Sequence, residues 1–263
     1  MIGNWINGAI ATCGFEMKRS FTVQRNAVSF VLALFPPVMT GMLTWGPRTV
    51  GAQGIPFVEV VILVLVGLVT MLSLLLWATP NVYSELEGKS WTFISSRPGG
   101  RVGNFLGKYL AAIISSFAIA TIAVSLSLGV ASTAVPLEDP LWTWLASMVI
   151  FLFATLAYGA VLSMIGTITY KRAMVVGVGY LLAWEGLIAM VPALVNQFTI
   201  RFHLQSLVIE WLPFVVRSED YALIYGDMDV KLHILIVIAM TIAFLVGGAY
   251  VIVNRQYVTK DET

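Results

Sequence analysis

Six long apolar stretches, separated by polar connections, constrain the fold of this chain more than any other feature. A helix needs about 20 mostly apolar residues to cross about 30 Å of hydrocarbon. The stretches cover 26–45, 58–79, 106–131, 142–168, 173–195 and 232–253. Only 11% of the 263 residues are charged, against about a quarter in soluble domains. The sequence therefore predicts an all-α membrane protein with six transmembrane helices in one domain, residues 1–263.

The positions of lysine and arginine predict the orientation of these helices, because cytoplasmic loops carry an excess of both residues. If the amino terminus is cytoplasmic, most of the 15 cations fall on the inner side. The inner cations are Lys18, Arg19, Arg25, Lys89, Arg97, Arg101, Lys108, Lys171, Arg172, Arg255 and Lys260. We therefore expect a multi-pass protein of the cell inner or plasma membrane with both termini in the cytoplasm.

The segment 1–25 precedes the first apolar stretch and has an amphipathic pattern. Its apolar residues, among them Trp5, Ile6 and Ala9, recur at helical spacing, and its cations follow them. This pattern predicts a helix that lies in the membrane interface and contacts lipid. The alternative is a soluble helix that packs on a partner.

The segment 196–231, between the fifth and sixth stretches, is too long for a simple hairpin. Ile200, Leu204, Leu207 and Trp211 fall at helical spacing within it. The sequence therefore predicts an extracytoplasmic segment with one helix against the outer leaflet.

Most catalytic and nucleic-acid-binding classes find no support in the sequence. The net charge of +1 provides no basic footprint for nucleic acid. Cys13 is the single cysteine, and His203 and His233 are not in a metal-binding pair, so each is better interpreted as an ordinary apolar or interfacial side chain. In RVGNFLGKY, Val102 and Tyr109 replace residues that a phosphate loop requires. We therefore expect no enzyme, no metal site and no cofactor bound by this chain.

Glu185 is the one acid near the middle of an apolar stretch. A charged carboxylate at the centre of a membrane helix costs about 3 kcal/mol on insertion scales. Glu185 is therefore expected to face protein, water or a partner subunit. Two interpretations stay open: a substrate-path or gating residue, and a hydrogen-bonded carboxyl group that packs helices together.

The polar loop 80–105, between the second and third stretches, has the composition of a docking element. It reads SELEGKSWTFISSRPGGRVGNF from Ser84 onward, with acids, then aromatic residues, then a Pro-Gly-Gly break. Trp91 and Phe93 are expected to be exposed beside charged neighbours, as in the anchors that protein partners bury.

This loop resembles the cytoplasmic segment after the second span in ABC transporter permeases of the type-2 exporter class. Lys89 stands where that family usually has glycine, and Thr92 where it often has glutamate. The six-span layout is also similar. The matching positions are Glu85, Glu87, Ser90, the apolar run 91–94, Ser96, Arg97, Pro98, Gly107 and Lys108.

The resemblance implies a half-transporter, the permease subunit of an exporter that moves an unidentified substrate. Two such subunits, identical or similar, would pair, and each would dock through a coupling helix in the loop on a separate ATPase that binds ATP and Mg²⁺. The implied ATPase-docking residues are Glu85, Glu87, Lys89, Ser90, Trp91, Phe93, Arg97 and Pro98. The alternatives are an intramembrane enzyme and a membrane anchor for an ATPase that transports nothing.

Overall fold

The computed structural model of the chain describes residues 2–20, 22–45, 54–133, 139–188, 194–212 and 229–257. The α-helices in these ranges are α1 Ile2–Ser20, α2 Val23–Trp45, α3 Gly54–Ala78, α4 Tyr83–Glu87, α5 Trp91–Ser96, α6 Gly100–Ser132, α7 Pro140–Ile168, α8 Ala173–Tyr180, α9 Ile200–Trp211 and α10 Val230–Asn254. The described residues contain helices and no strands, which confirms the predicted all-α class. Five helices, α2, α3, α6, α7 and α10, are long and apolar enough to cross a membrane.

The fifth predicted span differs from the prediction. Helix α8 ends at Tyr180 and continues as a wider π-helical turn over Leu181–Leu187. At about 1.5 Å per residue, Ala173–Leu187 rises roughly 22 Å, which is short of the hydrocarbon thickness of about 30 Å. Of the remainder of the predicted span, 188–195, residues 189–193 lie outside the described residues. Six spans are therefore not confirmed.

Helices α6 and α7 form the centre of the bundle. Helix α6 packs against α1, α2, α3 and α7, while α7 also contacts α8, α9 and α10. The largest core cluster joins α3, α6, α7, α9 and α10. Its buried members include Leu74, Tyr158, Leu162, Ile200 and Val237. The inward faces of these helices are therefore apolar, as the hydrophobic stretches predict.

Helix α9 lies in the segment for which an outer helix is predicted. Ile200, Phe202, His203, Leu204 and Leu207 are all buried. The helix packs between α7 and α10 instead of resting on the outside of the bundle. Residues 213–228 of the predicted extracytoplasmic segment lie outside the described residues.

Helix α1 packs closely along the first half of α6 because glycines open the surface of α6. A Cβ atom added to Gly103 would lie 3.3 Å from the Trp5 carbonyl oxygen, and one added to Gly107 would lie 2.6 Å from the Ala9 carbonyl oxygen. Further along, the Ser115 hydroxyl lies 3.7 Å from the Met17 sulfur. Small residues four apart allow membrane helices this close approach.

The contacts between α1 and α6 bear on the predicted interfacial helix. They advance in the same direction along both helices over several turns, so α1 lies alongside α6. Ile6, Ile10 and Phe15 remain exposed on α1. The predicted helix is therefore present. One of its sides packs on α6, and exposed apolar side chains lie on another side. Its position in the interface stays a prediction.

The glycine contact gives a testable stability difference. Gly107→Ala is expected to lower the free energy of unfolding by about 1–3 kcal/mol, because the added methyl group must displace the backbone of α1. Gly14→Ala is the matched control, since a Cβ there meets nothing within 4 Å and alanine favours the helix. Unfolding in detergent, followed by circular dichroism, measures both. Equal effects of the two variants would contradict the close contact.

Candidate functional site

The predicted docking loop folds into two short helices, α4 and α5, joined by a tight turn. Lys89 has a φ of 55° in this turn, a left-handed conformation that non-glycine residues rarely adopt. After α5, Gly99 has a φ of 73° and caps the start of α6. Two left-handed residues therefore set the direction of α5 between α4 and α6.

The loop buries two of the residues predicted to dock a partner. Glu85 is 6% exposed and Trp91 is 5% exposed. The predicted exposure of Trp91 is therefore wrong. Ser90 is half-buried. The other predicted docking residues are exposed, namely Glu87, Lys89, Phe93, Arg97 and Pro98.

Glu85 is buried because it forms an ion pair with Lys108 of α6. Its Oε1 lies 2.5 Å from the Lys108 Nζ. The Ser90 hydroxyl donates to Glu85 Oε2, and the Lys108 ammonium also donates to the Asn81 carbonyl at 2.9 Å and to the Ser84 hydroxyl at 2.6 Å. Every donor of a buried ammonium is thereby used, which is what a buried charge requires.

The same lysine connects the loop to the amino-terminal helix. Glu16 of α1 lies 3.7 Å from the Lys108 Nζ and 3.6 Å from Arg19 Nη1. Lys108 therefore joins α1, α4 and α6 through one buried charge. We call Glu16, Glu85 and Lys108 the charge cluster.

Trp91 is buried because the carboxy-terminal segment covers it. The Trp91 and Tyr257 rings meet edge to face at 5.1 Å, and Tyr170 meets Tyr257 at 5.4 Å. The Tyr257 hydroxyl donates to the Thr167 carbonyl at 2.9 Å. Burial raises the pKa of Tyr257 to about 12, so this hydroxyl keeps its proton at neutral pH. Trp91, Tyr170 and Tyr257 form the aromatic cluster.

Arginines hold the aromatic cluster to the ends of the long helices. The Arg101 guanidinium lies 5.9 Å from the Trp91 ring and donates to the Val253 carbonyl at 3.0 Å. Arg255 lies over the Tyr170 ring at 5.6 Å and donates to the Ile168 carbonyl. Helix α5 is thus attached to the ends of α6, α7 and α10. Phe93 on α5 stays 73% exposed.

Glu185, the second predicted site residue, lies away from the loop and is 1% exposed. Its carboxylate accepts four hydrogen bonds, from the hydroxyls of Tyr158 and Tyr180 and from the backbone N–H groups of Ile200 and Arg201. The two N–H groups open helix α9, where the helix has no internal acceptors for them. The π-helical turn carries Glu185 to this position.

These contacts bear on the two interpretations of Glu185. Four donors satisfy the carboxylate, and the positive end of the α9 dipole stabilises an anion there. Arg201 Nη1 also donates to the Glu185 carbonyl at 3.4 Å. The geometry favours the interpretation of Glu185 as a hydrogen-bonded carboxyl group that packs α7, α8 and α9 together.

The two histidines, interpreted from sequence as separate interfacial side chains, lie in direct contact. His203 Nδ1 and His233 Nδ1 are 2.8 Å apart, and His203 Nε2 lies 2.8 Å from the Gln197 carbonyl. Since a carbonyl only accepts, His203 donates from Nε2, and His233 donates to His203 Nδ1. Burial lowers the pKa of His203, against the opposing effect of the Gln197 carbonyl. Among the described residues, no group of three or more His, Cys, Asp or Glu side chains could hold a metal ion.

Several residues of these clusters were not identified from sequence. Glu16, Tyr257 and the tyrosines around Glu185 carry no local motif. The sequence could have predicted the ion pair of Lys108. A lysine inside an apolar helix needs an acid nearby, and Glu85 and Glu87 are the acids of the preceding loop.

No protein-family model matches the chain, and no curated protein matches it.

Proposed function

We propose that the chain is the permease subunit of an ATP-binding-cassette exporter, and that α4 and α5 form the helix pair that receives the motion of a separate ATPase. The resemblance of 84–110 to the type-2 exporter class suggests this function. One observation carries it: the loop is fixed internally by the charge cluster and the aromatic cluster while Phe93 points outward and is 73% exposed.

Attachment at two points suits a loop that transmits force. A displacement of α4 would reach α6 and α1 through Lys108, and a displacement of α5 would reach α10 through Trp91 and Tyr257. A loop without contacts to other helices would move without displacing those helices. ATP binding would shift the helices only if the two states of the ATPase pair dock differently on this surface.

The other parts of the proposal follow from the same assignment. ATP and Mg²⁺ would bind the partner ATPase, and two permease chains, identical or similar, would form the transport path. The loop and both termini would lie in the cytoplasm of a cell whose inner or plasma membrane holds the helices. The glutamate pair in the loop would then be divided, with Glu85 holding the fold and Glu87 facing the partner.

Phe93→Ala is expected to weaken ATPase docking about tenfold or more, because an exposed aromatic anchor at an interface typically contributes 2 kcal/mol or more. The ATPase is obtained by purifying the full chain from its native membranes and selecting a partner with a phosphate loop and ATP hydrolysis. Binding is then measured with the chain in lipid nanodiscs. Phe198→Ala is the matched control, since Phe198 is 67% exposed and lies outside the loop.

Two outcomes would contradict the proposal. Equal affinities of the two phenylalanine variants would remove the docking surface from α5. Docking that depends on Phe93 with no substrate-stimulated ATP hydrolysis and no flux would favour the membrane anchor. Glu85 and Trp91 are unsuitable for this test, because their replacement would disturb buried clusters.

A further inference from the structure

A small polar cavity lies where helices α1, α2 and α3 end or begin beside α6. Its volume is about 60 Å³, and its lining includes one carboxylate and several cations and polar side chains, namely Glu16, Arg19, Arg25, Trp77, Asn81 and Lys108. Drug-sized ligands occupy about 300–1,000 Å³. The cavity therefore has room for one small polar group.

Two side chains of the lining have polar atoms without partners. The indole Nε1 of Trp77 and both amide atoms of Asn81 are buried and make no hydrogen bond within the described residues. The Asn81 side chain is 2% exposed. Since buried polar groups are nearly always hydrogen-bonded, the two N–H donors, Trp77 Nε1 and Asn81 Nδ2, suit a bound acceptor.

The cavity also has an excess positive charge. Lys108 and Arg19 have Glu85 and Glu16 as carboxylate partners. Arg25 lies 4.7 Å from the centroid of the Trp77 ring and donates to the Ser20 hydroxyl at 3.4 Å. The part of the chain that the structure describes has no carboxylate within 4.0 Å of Arg25. Three cations therefore share two carboxylates.

We propose that this cavity binds a phosphate group, with Arg25 as its charge partner and Trp77 Nε1 and the Asn81 amide as further donors. A guanidinium matches phosphate geometry, and charge-assisted hydrogen bonds to it are the strong ones. Water would satisfy the indole and the amide, whereas an anion would in addition pair with the half-buried Arg25 guanidinium. The binding site is independent of the proposed export function.

The position of the cavity suggests two sources for the phosphate. It lies at the ends of α1 and α3 and the beginning of α2, the predicted cytoplasmic boundary, where tryptophan is typical of the headgroup layer. A lipid phosphodiester would enter from the membrane, and a free phosphate ion from the cytoplasm. Both present the same oxygen acceptors to Arg25.

The experiment uses the full chain purified in a maltoside detergent, which contains no phosphate. The thermal unfolding midpoint is measured against phosphatidylglycerol, phosphatidylcholine, diacylglycerol and inorganic phosphate, since a ligand that binds the folded state raises the midpoint. Diacylglycerol is the lipid control without phosphate. Native mass spectrometry counts the bound molecules.

The expected result is that phosphate-containing probes raise the midpoint and that Arg25→Gln weakens their apparent affinity about tenfold, the loss of one charge-assisted contact. Lys18→Gln is the matched control, an exposed cation of α1 outside the cavity lining. Trp77→Phe keeps an aromatic ring beside Arg25 but removes the N–H donor together with part of the ring system, so its ligand-free midpoint is measured first. It should reduce the rise in midpoint that the phosphate probes cause, measured from the variant's own ligand-free value.

Each outcome decides the proposal. Dependence on Arg25 with the two phospholipids alone supports a lipid phosphate, and dependence with inorganic phosphate as well supports a site for the free ion. Binding of no probe, equal binding of diacylglycerol, or equal losses in Arg25→Gln and Lys18→Gln would overturn it. Unchanged binding in Trp77→Phe would contradict the assignment of the indole N–H as a donor to the phosphate.

Discussion

Lys108→Met is expected to lower the free energy of unfolding by about 3–5 kcal/mol, the effect of breaking a buried ion pair by removing one partner. Methionine retains much of the aliphatic stem but removes the ammonium group. Glu85 would then remain buried with the Ser90 hydroxyl and without its cation. The Asn81 carbonyl and the Ser84 hydroxyl would lose the same donor.

A double variant separates the charge from the packing. Lys108→Met with Glu85→Leu removes both partners, so it should recover much of the stability lost in the single variant. Lys171→Met is the surface control, since Lys171 is exposed, and it should change the free energy by about 0.5 kcal/mol or less. Unfolding in mixed micelles measures all three. Equal losses at Lys108 and Lys171 would show that the buried pair does not stabilise the fold.

Hydrophobicity along the sequence predicted most of the long helices well. The predicted stretch 142–168 corresponds to Pro140–Ile168, and 232–253 corresponds to Val230–Asn254. Helix α6 begins at Gly100, six residues before the predicted start, because α1 covers its first turns. Apolar composition shows which residues can be buried. It therefore predicts a helix correctly where burial of the apolar side chains alone determines the position of the helix.

The interrupted fifth stretch could not be predicted in this way. Its composition is as apolar as its neighbours, and the π-helical turn at Leu181–Leu187 depends on contacts with α7 and α9. The burial of Glu85 and Trp91 was missed for the same reason. Their partners Lys108 and Tyr257 belong to other helices or segments, so the local pattern of the loop predicted a docking surface without showing which half of it faces inward.

Glu185→Leu is expected to lower the free energy of unfolding by about 4 kcal/mol or more. Four donors lose their acceptor, and a buried unsatisfied donor costs about 1–3 kcal/mol. The N–H groups of Ile200 and Arg201 have no alternative acceptor within the first turn of α9. The loss should therefore appear as detachment of α9, with faster hydrogen exchange over Ile200–Trp211 than over α6.

Glu185→Gln distinguishes packing from gating, because it retains one carbonyl oxygen and nearly the same volume. If Glu185 packs the helices, stability should fall in the order wild type, Gln, Leu, and any transport defect should follow the loss of stability. If Glu185 controls the substrate path, Glu185→Gln should abolish transport while the free energy of unfolding stays within about 0.5 kcal/mol of wild type. Glu87→Leu, an exposed acid in the loop, is the stability control. A leucine at 185 that destabilises no more than a leucine at 87 would contradict the structural role, because the four hydrogen bonds would then contribute nothing to the fold.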